Sequence, residues 1–471
     1  MEIVHISAEC YPVAKAGGLG DVVGALPKYQ SKAGHIAKVV MPMHRTKFLF
    51  ANEWVVDFKG SANLGNLLFE FTIIREKINS LGFHLYLVDI NGLLDRDKIY
   101  GYEDDTERFT AFQIAVLSWM ASWEHRPDIV HCHDHQSGLV PFMMKHCFNF
   151  RQLSRVSTVF TIHNGQYQGW MDWSKSQLIP AWDNWKSGLL EWNGRINPMA
   201  SAIKCANMVT TVSQSYMEEL FLDANGLEAL FENERGKCLG ILNGIDNEIW
   251  SPTTDTYLEH HFSVKTVTKG KKANKALLCE KYGFVIEKPL FVFIGRLVGE
   301  KAAEILPGSI ARAIHETGGA ASFLILGSGQ TEIEWELQQM IGQFKGLYNA
   351  YIGYNEALSH LIYAGADFLL MPSKVEPCGL NQMYAMRYGT VPVVRSTGGL
   401  KDTVVDMGNL NGYGIRFNNA TESDLVYSIA RGVSVYKDKA QMEKMRHYMM
   451  QIDNSWEATV QKYINVYQGI L

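Results

Sequence analysis

The chain has 471 residues, 47% of them hydrophobic and 20% charged, too long for one ordinary core and suited to two domains of roughly 200 to 250 residues each. A formal net charge of -5 gives no electrostatic reason to expect nucleic acid as a partner. Residues 1–9 lack the pattern of a secretion signal, no apolar run reaches bilayer length, and seven cysteines without a Cys-x-x-Cys pair fit buried thiols in a reducing cytoplasm rather than a disulfide scaffold.

Strand-like runs at residues 3–7, 37–41 and 85–88 alternate with helical stretches, the pattern of a parallel sheet covered on both faces. Residues 55–58 and 68–73 read as an added hairpin. Residues 129–131 and 158–162 resume the parallel pattern, followed by a helix near 197–205 and a strand at 208–212. The turn Asn243-Gly244-Ile245-Asp246, which leads to Ser251-Pro252 and a lysine-rich stretch, marks a boundary. The cycle then restarts with strands at 290–294, 322–326, 350–354, 368–371 and 391–394 and a helix beginning near Ala302. So many crossovers exceed what a single doubly wound domain needs, which predicts two α/β domains. Residues 456–471 carry apolar positions at helical spacing and either end the second domain or pack back on the first.

Two glycine turns stand out. Lys15-Ala16-Gly17-Gly18-Leu19-Gly20-Asp21 follows the first strand, where glycines let a ligand approach the backbone and free amides suit a phosphate or sugar oxygen. A tight strand-to-helix turn without a ligand is the plainer alternative, because the spacing matches neither a dinucleotide fingerprint nor a P-loop. The second turn, Thr397-Gly398-Gly399-Leu400, follows Glu376-Pro377-Cys378-Gly379-Leu380. Here Glu376 can bind sugar hydroxyls while the succeeding amides take phosphate; otherwise it is a capping acid. Cys378 has no evident general base beside it, so core packing describes it better than a nucleophile.

Arg296 and Lys301 place two cations after a strand. A diphosphate leaving group gains negative charge as its bond to sugar breaks, and each fixed cation can lower that barrier by about 3 kcal/mol. A surface Arg/Lys pair is the alternative. The segment His131-Cys132-His133-Asp134-His135 offers metal-binding side chains, and an extended backbone would turn its three histidines one way. Adjacent strand residues rarely converge as a tetrahedral shell, so no metal is assigned; an active-site strand end is preferred, with ordinary packing and hydrogen bonding the alternative. His163-Asn164-Gly165 ends another strand and can reach the same crevice.

Taken in order and over close to the full length, these motifs resemble the bacterial glycogen synthase and plant starch synthase family. The resemblance rests on Lys15 to Asp21, His133-Asp134, Thr161-Ile162-His163-Asn164, Leu242-Asn243-Gly244-Ile245-Asp246, Gly295-Arg296-Leu297 with Lys301, Ser373 to Leu380, and Arg395 to Leu400. It implies a GT-B arrangement of two Rossmann-like domains with an active-site cleft between them. Residues 1–243 would form the acceptor-side domain, 244–455 the nucleotide-sugar domain, and 456–471 a C-terminal helix.

The implied reaction transfers glucose from ADP-glucose to the nonreducing 4-OH of an α-1,4-glucan, glycogen or a maltooligosaccharide, with retention of configuration. UDP-glucose as donor and a small sugar as acceptor are the alternatives. The resemblance puts Arg296 and Lys301 on the diphosphate, Glu376 on the donor glucose, and the amides of Cys378, Gly379 and Leu380 on the distal phosphate. His163 would bond the sugar, and Lys15, Gly17, Gly18, Asp21, Asp134, Asn164, Asn243 and Thr397 would order donor or acceptor. No cofactor, metal or membrane is implied. Three positions depart from or qualify the pattern: Ala302 stands where the family has glycine, His135 where many relatives have Trp, and Tyr384 where related sugar transferases carry a second glutamate.

Overall fold

The computed structural model describes residues 1–471 and divides into two compact units: Met1–Val212 with Met217–Leu242 and Trp456–Leu471, and Ser213–Tyr216 with Asn243–Ser455. The strands of the first are β1 (Glu2–Ile6), β2 (Ile36–Pro42), β3 (Trp54–Leu64), β4 (Leu67–Glu76), β5 (His84–Asp89), β6 (Ile129–His133), β7 (Ser157–Ile162), the small hairpin β8 (Glu191–Trp192) and β9 (Arg195–Ile196), β10 (Met208–Thr211) and β11 (Cys238–Gly240). Nine of them form one sheet in the order β11-β10-β7-β6-β1-β2-β5-β4-β3. Its centre is parallel and buried on both faces, as the continuous apolar runs require. The predicted hairpin is the antiparallel pair β3–β4, which extends the sheet through β5.

Helix Gly18–Lys32 follows β1 and buries Leu19, Val22, Val23 and Leu26, a three-to-four spacing that matches one helical face. Val22 and Leu26 meet Trp456, Val460, Tyr463, Ile464 and Tyr467 of helix Trp456–Gln468, together with Ile3, Ile129 and Val159. The last helix of the chain therefore completes the core of the first unit.

The second unit carries β12 (Leu290–Leu297), β13 (Ser322–Gly329), β14 (Tyr348–Ile352), β15 (Phe368–Met371), β16 (Val391–Arg395) and β17 (Ile415–Phe417), all parallel, in the order β14-β13-β12-β15-β16-β17. The strand expected at 290–294 continues to Leu297. Its last residues lie opposite Gly327, Ser328 and Gly329, and a Cβ at Gly327 would come within 2.1 Å of the Gly295 carbonyl oxygen. The small residues allow the two backbones to stay paired. The helix expected near Ala302 starts later, at Leu306, because Ala302 takes the left-handed conformation with φ of 50°. That conformation costs an L-residue about 1 to 2 kcal/mol. No helix is long and apolar enough to cross a membrane.

Candidate active site

In the first unit the glycine loop is held from beneath. Glu9 is buried, and its Oε2 accepts from the amides of Ala16 at 2.6 Å and Gly17 at 2.9 Å, while its Oε1 accepts from the Tyr100 hydroxyl at 2.7 Å. Lys15 Nζ and Asp21 Oδ1 pair at 2.7 Å across the loop. A Cβ built on Gly17 or Gly18 meets nothing within 4 Å, and neither residue has a positive φ. Nothing inside the protein therefore demands glycine at these two positions, and the open space above them is available to a ligand.

β6 ends at His133, and Asp134 turns the chain with φ of 55° and ψ of 179°, a region that costs a non-glycine residue about 1 to 3 kcal/mol. The turn is fixed by Asp134 Oδ1, which accepts from the His163 amide at 2.7 Å. Asp134 keeps some exposed surface but is closely ringed by protein. Burial pushes its carboxyl up to about 7, with Glu9 adding to the rise and the amides of His163 and Asn164 opposing it. Asn164 Oδ1 accepts from the Gln166 amide at 3.0 Å, closing the turn after β7.

The expectation that His131, His133 and His135 face one way is corrected. The turn at Asp134 sends His135 elsewhere: its Nδ1 bonds the Tyr167 carbonyl at 3.0 Å and its ring packs against Gly169. Its place is taken by His5 of the neighbouring β1, and His5, His131 and His133 cluster within 4.8 Å. His5 and His133 bond to each other at 3.0 Å, and His133 bonds to His163 at 3.0 Å. Both nitrogens of His131 are engaged, by Tyr467 at 2.8 Å and Thr161 at 2.6 Å. Burial holds the four rings neutral, lowering His5 to about 4, His163 to about 3, and His131 and His133 well below the usual range.

In the second unit Arg296 stands exposed near the end of β12 and pairs with Glu300 at 3.2 Å. Lys301 Nζ lies 2.5 Å from Oε2 of Glu376, which also accepts from Ser373 Oγ at 2.9 Å. Glu376 is thus a buried, ion-paired carboxylate and not a helix cap. The segment carrying it is locked by the second glycine turn: the Gly399 amide donates to the Glu376 carbonyl at 3.1 Å, and a Cβ on Gly398, whose φ is 43°, would fall 2.0 Å from that same oxygen. Thr397 is the buried residue before helix Gly398–Thr403.

Cys378 is buried, with Asn243 bonding toward its sulfur, and burial pushes the thiol up to about 12. This is a packed, inert sulfur rather than a nucleophile. Gln382 holds the following turn by donating to the Cys378 and Gly379 carbonyls, each at 3.0 Å, and Asn381 donates to the Ile294 carbonyl at 2.7 Å, fastening Leu380 and its neighbours to β12. Tyr384 stacks on Trp250 with centroids 3.8 Å apart, so its ring serves packing. Sequence reasoning missed Glu9, Tyr100, His5 and Gln30, and gave Ser373 no role beyond its place in the Ser373 to Leu380 motif.

Residues 2–233 match the family described as "Starch synthase catalytic domain", and residues 288–432 that described as "Glycosyl transferases group 1". A glycogen synthase of Flavobacterium johnsoniae is 51% identical over 471 residues, covering 100% of this chain and 99% of that protein. A glycogen synthase of Geobacillus stearothermophilus is 35% identical, with 100% and 98% covered. Among solved structures, the catalytic domain of starch synthase IV from Arabidopsis thaliana, bound to ADP and acarbose, matches with a TM-score of 0.89 at 32% identity, covering 100% of this chain and 99% of that one. The α/β fold is of the GT-B class. On this full-length likeness the chain belongs to the glycogen synthase and starch synthase family of glycosyltransferases.

Proposed function

We propose that the chain transfers glucose from ADP-glucose to the nonreducing 4-OH of an α-1,4-glucan, glycogen or a maltooligosaccharide, with the α configuration retained. The observation that carries this reading is the grouping of Lys301, Glu376 and Ser373 next to the exposed Arg296 at strand ends of the second unit, where open parallel sheets bind ligands. The ADP in the related starch synthase favours adenine as the donor base.

Arg296 and Lys301 take the diphosphate, Glu376 the donor glucose, and the amides of Cys378, Gly379 and Leu380 the distal phosphate. Thr397 and Asn243 hold these segments in place. As the bond from the anomeric carbon to the phosphate oxygen breaks, the two cations stabilise the departing charge, each by about 3 kcal/mol. That phosphate oxygen accepts the proton of the incoming 4-OH, and the new bond forms on the same face, which retains configuration without a protein nucleophile. His163 bonds the sugar and shields the oxocarbenium-like centre. Asp134 and Asn164 shape the turn that carries it, and Lys15, Asp21, Gly17 and Gly18 order donor or acceptor at the first glycine loop.

Initial rates with ADP-glucose and UDP-glucose side by side, on glycogen and on maltooligosaccharides, test the reading once the product linkage is determined. Preferential α-1,4 extension from ADP-glucose is expected. Faster transfer from UDP-glucose, or transfer to a small sugar without glucan extension, would overturn it.

A further inference from the structure

The buried rings of the first unit form one continuous hydrogen-bonded line. Gln30 Oε1 meets His5 Nε2 at 2.8 Å, His5 Nδ1 meets His133 Nε2 at 3.0 Å, and His133 Nδ1 meets His163 Nε2 at 3.0 Å. His5 and His133 are wholly buried, as is Gln30. The other ring nitrogen of His163, Nδ1, bonds no protein atom.

A neutral imidazole has one donor nitrogen and one acceptor nitrogen. Neighbouring rings must therefore agree, and the sense at one end fixes every ring in the line. The amide oxygen of Gln30 can only accept, so His5 carries its proton on Nε2 and accepts at Nδ1. His133 then carries its proton on Nε2, and so does His163, which leaves His163 Nδ1 with a lone pair. Gln30 is itself held by its other end, because its Nε2 donates to the Tyr467 hydroxyl at 3.0 Å. Tyr467 then donates to His131 Nδ1 at 2.8 Å, and His131 Nε2 donates to Thr161 Oγ1 at 2.6 Å. Turning the Gln30 amide over would reverse both branches together.

We propose that Gln30 and Tyr467 are positioning residues that set the ring tautomer of His163 and so present its Nδ1 to the substrate as a hydrogen-bond acceptor for a sugar hydroxyl. The tautomer itself follows from the hydrogen-bonded line; its use by a sugar rests on the role given to His163 above. The C-terminal helix thereby acts on the chemistry through four side chains without touching a ligand.

Neutron diffraction from crystals of the full chain reads the deuterons directly. The expected result is a deuteron on Nε2 and none on Nδ1 of His5, His133 and His163. A deuteron on Nδ1 of any of the three, alone or with one on Nε2, overturns the relay. Gln30→Leu removes the acceptor and Tyr467→Phe removes the hydroxyl that orients it. Each is expected to give His163 mixed occupancy at its two nitrogens and to lower kcat about tenfold with little change in donor KM; Tyr467→Phe serves if Gln30→Leu folds poorly. Unchanged His163 deuteration in both variants overturns the relay. Mixed deuteration with unchanged kcat leaves the relay standing and overturns the presentation of Nδ1 to sugar, which separates the two failures.

Discussion

Lys301 Nζ lies 2.5 Å from Glu376 Oε2, so a diphosphate that engages this lysine competes with a carboxylate already bound to it. Glu376→Gln should release the cation. The expected outcome is tighter ADP binding by a few-fold in calorimetry, with glucosyl transfer lowered by about 100-fold or more. Weaker ADP binding would show that Glu376 does not hold Lys301 back. Lys301→Met should lose transfer to a similar degree and also destabilise the chain by about 2 kcal/mol, since it strands a buried carboxylate; thermal unfolding checks this.

The two glycine turns should respond oppositely to alanine. Gly398→Ala forces a Cβ to within 2.0 Å of the Glu376 carbonyl at a φ of 43°, so about 2 kcal/mol of stability and most activity should go together. Gly17→Ala adds a methyl to open space and should leave Tm nearly unchanged while raising the KM for donor or acceptor. Equal losses of Tm in the two variants would contradict this division.

Mild acid should unfold the protein. His5, His44 and His135 are lowered by burial to about 4 and His163 to about 3, and burial holds His131 and His133 well below the usual range. Each takes a proton near pH 6.5 when unfolded, so the unfolded chain binds more protons below that pH. Their contribution is fully present above pH 6.5 and is lost as pH falls toward 4, at up to about 1.4 kcal/mol per pH unit each. Asp134, raised to about 7, works the other way between pH 7 and 4, but it is one group against six. Circular dichroism melts should show Tm falling from below pH 6.5, and a flat profile down to pH 4.5 would sink the prediction.

All seven cysteines are free, and only Cys238 is not buried. Native alkylation followed by mass spectrometry should modify Cys238 first, and slowly, because burial raises its thiol to about 11. Cys378→Ala should retain at least about a tenth of wild-type activity, whereas a nucleophile would lose several orders of magnitude.

The parallel strands were legible because their residues are apolar in short runs bounded by turn residues, as at Ile3-Val4 and Leu324-Ile325. Boundaries were less so. β12 passes Ile294 to reach Leu297 because glycines on the neighbouring strand accept it, and the helix after Lys301 waits until Leu306 because Ala302 is left-handed. Neither cause lies in the local sequence.

The glycine loops, Arg296 with Lys301, and the Glu376 segment were visible from the sequence because each combines a backbone that a ligand can approach with a charge that its chemistry needs. Their partners were not. Glu9 lies seven residues before Ala16 and Ser373 three before Glu376, yet neither spacing says that the two residues will meet. The line from Tyr467 to His131 spans 336 residues, and alternation along one strand cannot say which ring of another strand will take the adjoining place.

By itself, then, the order of apolar runs and motifs determined two α/β units, the family, and the residue types available for phosphate and sugar. Tertiary structure alone decided which carboxylate neutralises Lys301, which histidines share a line, and that the final helix closes the first core. The physical reason is range. Periodicity and turn chemistry act over a few residues and are written locally, whereas a buried ion pair or hydrogen bond is chosen by whichever distant group burial brings within about 3 Å.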